Sequence, residues 1–316
     1  MNVSSDGVDI ERARAELVGA CRDFFASRGY CEVFTPVMIA APAMEENIDA
    51  VPCRDGYLRT SPELQMKILI ARGHSRIFQI GPCFRLGELG PLHRPEFLML
   101  EWYRTRCTHL DILLETRCLL QGILRRFEEA GRPPAGANRL GLKGPWETIT
   151  VREAFLRSAG WDPIAEFDED RFWSDLVLKV EPDLPSEVPV VLTEYPAAAG
   201  GFARRKEQDP RIAERWELYV GGVEIANGCA EIISRQEHLE RLQQAADYRR
   251  RHGKPLYPID EGFLAALDHM PSCAGVAVGL DRLLMVLLGY ESLDEVTPPA
   301  LSSGADGPDG HQPQRS

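Results

Sequence analysis

Two hairpins of alternating polarity constrain this chain more than any other feature of its sequence. In Trp216-Glu217-Leu218-Tyr219-Val220, then Gly221-Gly222, then Val223-Glu224-Ile225, the glycine pair stands where a tight hairpin turn needs positive φ. That register sets Tyr219 opposite Glu224. Trp216, Leu218, Val220, Val223 and Ile225 then share an apolar face, and Arg215, Glu217, Tyr219 and Glu224 share the other, because side chains alternate along a strand. A second pair, Ile77 to Arg85 and Phe97 to Tyr103, is joined by the loop 86–96. Alternation sends Phe78, Ile80, Phe84, Leu98, Leu100 and Trp102 one way, and Gln79, Arg85, Glu101 and Tyr103 the other. Both hairpins demand an antiparallel sheet with one apolar face. The charged face is either a solvated surface or the floor of a site.

Helices must cover the apolar side. Ile10, Ala13, Leu17, Cys21, Phe24 and Phe25 recur at helical spacing with Gly29 behind them, which predicts an amphipathic opening helix. Pro36 favours extended backbone at Val33-Phe34-Thr35, since proline disfavours helical geometry in its predecessor. A helix from Leu110 to Glu129 is predicted by Thr108 and Asp111 as a cap and Gly131 as a stop, with Leu113, Leu120, Ile123 and Phe127 on its core face. Residues 131–145 read as a loop, and 148–190 as a small helical insert of undisclosed role. Ser234-x-x-Glu237 is a capping-box signature for a helix to Arg251. The small-residue strand Ala274 to Gly279 runs into an apolar helix, which puts Arg282 at a helix start. The tail 297–316, dense in Pro, Gly, Ser and Asp, is expected to be disordered.

Composition narrows the function classes. With 316 residues and 44% hydrophobic content the chain can bury a sizeable core, and its formal charge of −12 argues against a broad phosphate-backbone footprint. Eight cysteines show no C-x-x-C pair and no clustering with histidine, so reduced thiols of a cytoplasmic protein are expected. The first residues lack a basic and an apolar signal region, and no stretch approaches the ~20 apolar residues of a membrane span. A soluble, unexported protein without a membrane partner is the expectation.

Three segments then become recognisable. Phe84-Arg85-x-Gly87-Glu88 with His93-Arg94-Pro95-Glu96-Phe97 and Leu100-Glu101-Trp102-Tyr103 resembles motif 2 of the class II aminoacyl-tRNA synthetases. Gly275-x-Ala277-x-Gly279-x-Asp281-Arg282 resembles their motif 3, and Pro36 lies where motif 1 has its proline. Gly222-Val-Glu224-Ile-Ala-Asn227-Gly228-x-x-Glu231, Thr60-Ser61-Pro62-Glu63 and Pro258-Ile259-Asp260-Glu261 make the likeness specific to lysyl-tRNA synthetases, from about residue 10 to 295. Within that group the chain is most similar to the paralogous ligases that attach β-lysine to elongation factor P. Fewer than ten residues precede the opening helix, so no anticodon-reading module is expected. Ala277 stands where tRNA synthetases usually have glycine, and the wording Met99-Leu100-Glu101-Trp102-Tyr103-Arg104 also looks like the ligases.

The resemblance implies an α+β fold, an antiparallel sheet of about six strands flanked by helices. It also implies a catalytic domain over 1–296, a homodimer formed through motif 1, and ATP with Mg2+ as cofactors. Activation would proceed by attack of the β-lysine carboxylate on the α-phosphorus of ATP, so catalysis is positioning and neutralisation of phosphate charge. By resemblance Arg85 and Arg282 are the catalytic arginines, on the α- and γ-phosphates. Leu86, Gly87, Arg94, Glu224, Ile225 and Gly279 complete the ATP site. Ser61, Pro62, Glu63, Tyr103, Glu231 and Ala277 surround the amino acid, and Glu224 and Glu231 hold Mg2+. Seven residues of regular strand would put those two acids on opposite faces, so a bulge or bend is expected near Asn227-Gly228.

Arg94 departs from the family's asparagine and is expected on the base or a phosphate. The extra methyl of Ala277 is expected to favour β-lysine over α-lysine. The basic run Arg204-Arg205-Lys206 is a solvated loop or a partner contact. Charging of tRNA, by contacts to the acceptor stem alone, is the rival function; a non-catalytic binding paralogue is a weaker one.

Overall fold

The computed structural model describes residues 5–297; the tail expected to be disordered lies almost wholly outside them. The chain opens with helix α1 (Ser5–Ala26), closed by Gly29 at φ 72°, and a two-residue strand β1 (Cys31–Glu32). Strands β2 (Met38–Ile39), β3 (Pro52–Cys53) and β4 (Gly56–Leu58) form a small separate sheet, and helix α2 (Glu63–Ala71) follows. The long hairpin β5 (Arg76–Phe84) and β6 (Glu96–Thr105) leads into α3 (His109–Glu129). Thr108 and Asp111 there form the complete reciprocal cap.

Next come α4 (Ala135–Arg139), β7 (Glu147–Thr150), α5 (Val151–Ser158), α6 (Glu169–Asp175) and a π-helical turn over Leu176–Val180. The strands β8 (Val190–Thr193), β9 (Arg215–Val220) and β10 (Val223–Ala230) follow. The chain then builds α7 (Arg235–Arg251), α8 (Glu261–Leu267), β11 (Cys273–Gly279) and α9 (Leu280–Leu288).

One eight-stranded sheet runs β1-β5-β6-β11-β10-β9-β8-β7. Its middle six strands, β5 to β8 in that order, are antiparallel, and the short edge strands β1 and β7 add in parallel. The six-stranded expectation thus describes the interior of the sheet, and two short edges were missed. Alternation works as the hairpins demand: Phe78, Leu100, Trp102, Trp216, Leu218 and Val278 pack beneath α1, α3 and α9 in the main core. Burying such side chains contributes about 1.5–3 kcal/mol each.

Four expectations are corrected. The segment 131–145 contains the short helix α4, whose Gly136 packs so closely on α9 that a Cβ would lie 2.1 Å from the Val286 carbonyl oxygen. The stretch 148–190 is more than a helical insert. Its first residues belong to β7, paired with β8 on the main sheet, while α5, α6 and the π-turn close a core around Phe155, Phe172 and Tyr195. Only half of the expected box forms on α7: Ser234 accepts from the Glu237 amide at 3.3 Å, while the Glu237 carboxylate turns 3.5 Å from Arg205. The bulge falls between Glu224 and Ala226, two residues before its expected place.

Candidate active site

The charged face of the sheet is the floor of a cleft of about 580 Å³. Strand register lays its residues in rows. Gln79, Glu101, Ala277, Asn227 and Glu217 lie side by side across β5, β6, β11, β10 and β9; Tyr103, Gly275, Cys229 and Arg215 form the next row. Gly275 is required there: a Cβ would stand 2.3 Å from the Tyr103 ring, which lies against the strand. Past the bulge, Asn227 pairs with Glu217 and Cys229 with Arg215, so Asn227, Cys229 and Glu231 point to the same side as Glu224. The bulge therefore does what the sequence required, from an earlier position.

Arginines gather at one end of the cleft. Arg282, in the first turn of α9, donates to the Leu92 carbonyl at 2.9 Å, to the Glu224 carbonyl at 3.1 Å and to Glu224 Oε2 at 3.3 Å. Its Nη2 lies 2.8 Å from His93 Nε2. Burial and then Arg282 itself push the His93 pKa down, so the ring is neutral and Nε2 accepts. Neighbouring Asp281, buried, accepts from the Leu98 amide at 2.7 Å and pairs with Arg14, which fixes the start of α9 to β6 and α1. Arg85 lies 5.1 Å over the Phe97 ring and 3.6 Å from Glu88, and its buried Nε has no partner. A guanidinium that lines the cleft with donor capacity left over suits an anion. At Gly279 a Cβ would meet only Arg282 side-chain atoms, at 3.9 Å, so the room beside this backbone opens to the cleft.

Carboxylates gather at the other end. Glu101 is fully buried; it accepts from Tyr103 OH at 2.6 Å and from Ser61 Oγ at 3.0 Å. Burial and then Glu63 push its pKa up to about 8. Glu63 opens α2, where the Ser61 hydroxyl accepts from its amide at 2.9 Å. Glu231 follows β10 and pairs with Lys67. Arg215 binds Glu217 at 2.5 Å and Asn227 Oδ1 at 3.2 Å, which holds the row between the two ends.

One wall is the loop 45–49, and a fully buried arginine holds it. Arg249 donates to the carbonyls of Glu45 at 2.7 Å and Ile48 at 2.9 Å, and binds Asp49 at 2.6 Å. Desolvation and the nearby Glu63 push Glu45 up to about 7. Trp173 and Val177, on α6 and the π-turn, also line the cleft, which gives the 148–190 segment a part in it.

A family model described as tRNA synthetases class II (D, K and N) matches residues 5–300. The chain belongs to this family. Its similar curated relatives include proteins named elongation factor P–(R)-β-lysine ligase. That of Photorhabdus laumondii is 37% identical, over 90% of this chain and 92% of its own length. Those of Vibrio vulnificus and Yersinia enterocolitica are 37% identical over 90% of this chain and 94% and 92% of theirs. The β-lysine ligase branch of the class II synthetases is thus the family that the sequence resemblance named, and its α+β architecture is the one observed.

In this class II cleft, Arg85, Arg94, Glu224, Ile225, Gly279 and Arg282, expected around ATP, and Ser61, Glu63, Tyr103, Glu231 and Ala277, expected around the amino acid, all line the one cavity. Pro62, Leu86 and Gly87 do not line it. Pro62 caps α2, Leu86 sends a half-exposed side chain away while its amide binds the Asp49 carbonyl at 2.7 Å, and Gly87 turns at φ 80°. Arg94 is engaged within the protein, with the Gly90 and His93 carbonyls and Asp294. Arg204, Arg205 and Lys206 pair with Glu214, Glu237 and Glu194.

Sequence reasoning missed Lys67, Glu45, Cys229 and Trp173 as site residues. The spacing of Glu63 and Lys67 on one helix was a visible signal for the first.

Proposed function

We propose that this protein activates β-lysine with ATP as an adenylate and transfers it to a lysine ε-amine of elongation factor P in the cytoplasm. The observation that carries the reading is one cleft with Arg85 and Arg282 gathered apart from Glu63, Glu101 and Glu231, joined by the sheet row through Ala277 and Asn227. Such a site accepts a triphosphate and an ammonium-bearing amino acid in line.

Arg85, whose guanidinium lines the cleft, would neutralise charge developing on the α-phosphate, and Arg282 would exchange His93 and Glu224 for the terminal phosphates. Ser61, Glu63, Tyr103 and Glu231 would hold the substrate's ammonium, and Glu101, protonated at neutral pH, would keep the Tyr103 and Ser61 hydroxyls in place.

For Mg2+, which supplies further neutralisation of phosphate charge when bound, the donor set fits in one place. Glu224 keeps a part-exposed carboxylate beside Arg282, and Mg2+ is commonly held by one or two carboxylates plus substrate phosphates. Glu231, expected as its second protein ligand, has its carboxylate on Lys67 and belongs to the amino-acid end. Among the described residues no group of three His, Cys, Asp or Glu side chains could hold a metal by itself. We also propose a homodimer through the motif 1 region, where Phe34 and Met38 are exposed.

The test incubates the protein with ATP, α- or β-lysine, and either purified elongation factor P or total tRNA. A lysine-sized mass gain on the factor, greater with β-lysine, is the expected result. Label on tRNA alone would overturn the reading.

A further inference from the structure

Beneath the carboxylate end lies a cation that no step above uses. Lys67, on α2, is 1% exposed. Its ammonium bonds to Glu63, one turn earlier on the same helix, and to Glu231 beyond the end of β10. The rings of Tyr103 and Phe202 stand 5.9 Å and 6.0 Å from it. Burial would lower its pKa, yet Glu231 and Glu63 outweigh that and hold it well above its ordinary value.

Several groups packed around it favour their neutral forms. Burial raises the Cys229 and Cys273 thiols and the Tyr103 hydroxyl, Glu101 keeps its proton, and burial and then Lys67 lower His238 to about 3. Burial pushes Glu231 up as well, and Lys67 opposes that shift. Lys67 holds both acids from below, while Glu63, 18% exposed at its side chain, and Glu231 reach the cleft.

Resting on the function proposed above, we infer that Lys67 is a specificity-determining residue: it pairs Glu63 and Glu231 from beneath and holds both carboxylates where a substrate ammonium would meet them. Two carboxylates without it would face the same pocket uncompensated. A buried ionised group left without a partner is strongly disfavoured. The pair would then rearrange or bind a proton, and the ammonium of the substrate would lose its place. Lys67 touches no reacting atom in this account; it acts through Glu63 and Glu231.

The experiment measures amino-acid-dependent pyrophosphate exchange in the wild type, Lys67→Met, Lys67→Arg and the double variant Glu63→Gln/Lys67→Met, with thermal melts to confirm folding. Lys67→Met is expected to raise KM for the amino acid by about tenfold or more while KM for ATP stays within about twofold. Lys67→Arg keeps the charge and stays near wild type. The double variant removes one buried carboxylate together with the cation and recovers part of the loss.

An unchanged amino-acid KM in Lys67→Met, an equal rise in both KM values, or a double variant no better than the single one would overturn the inference. Should Lys67→Met fail to fold, the double variant and Lys67→Arg decide: an amino-acid KM raised as far in Lys67→Arg as in the double variant overturns it. The wild type activating only α-lysine would remove the β-lysine reading and leave Lys67 to be read on α-lysine. Activation of neither isomer overturns both.

Discussion

Tyr103 OH donates to Glu101 Oε1 at 2.6 Å between two residues that point to the same face of one strand. The bond ties a phenol to a carboxyl whose pKa burial and Glu63 raise from 4.5 to about 8. The folded protein therefore keeps a proton that the unfolded chain releases near 4.5. Stability from this group is fully present below 4.5 and falls as pH rises through about 8. Glu45 and Glu181, both raised to about 7, push the same way. Melts at pH 6 and pH 8.5 should show that decline, and Glu101→Gln should reduce it. An equal decline in the variant would remove Glu101 as its source.

Arg85→Ala and Arg282→Ala should each slow adenylate formation about 10²–10³-fold, or ~2.7–4 kcal/mol, the magnitude for losing a donor to developing charge. Single-turnover formation of AMP-linked amino acid checks this. A loss under tenfold for Arg282 would assign it to fixing the 86–96 loop through Leu92 and His93.

Ala277 stands in register between Glu101 and Asn227, so its methyl group occupies the floor between the carboxylate end and Arg215. Ala277→Gly should raise α-lysine activation relative to β-lysine by ~1–3 kcal/mol, the value of one methylene-sized difference. Pyrophosphate exchange with both isomers reads the ratio directly; an unchanged ratio would make Ala277 simple packing.

Gly275→Ala puts a methyl group into the Tyr103 ring. Overpacking of this kind costs about 1–3 kcal/mol, and here the displaced ring also carries the hydroxyl on Glu101. Both a lower melting temperature and a raised amino-acid KM are expected, and a lower melting temperature with KM unchanged would separate Tyr103 from substrate binding.

Much of this was legible because it is local. The glycine pair at 221–222 determined the Tyr219–Glu224 register, Thr108 and Asp111 determined where α3 begins, and alternation separated core from floor. What escaped depends on distant packing. The edge strands β1 and β7, two and four residues long, are too short to show a period and exist only because β5 and β8 offer them an edge. Lys67 on its helix looks like half of a surface pair with Glu63, and only the approach of β10 turns it into a buried cation. The parity of Glu224 and Glu231 required a bulge somewhere between them, but not at Ile225.

That bulge makes seven residues count as six. With Ile225 out of phase, the half-period it adds is what turns Glu231 toward Lys67 and not toward Trp216 and the helices. Loss of residue 225 would restore a regular ladder with every later side chain facing as before, but it would also remove the buried Ile225 side chain from the core. One residue added between Ala226 and Glu231 would invert the phase, sending an acid into the apolar core and an apolar neighbour into the cleft.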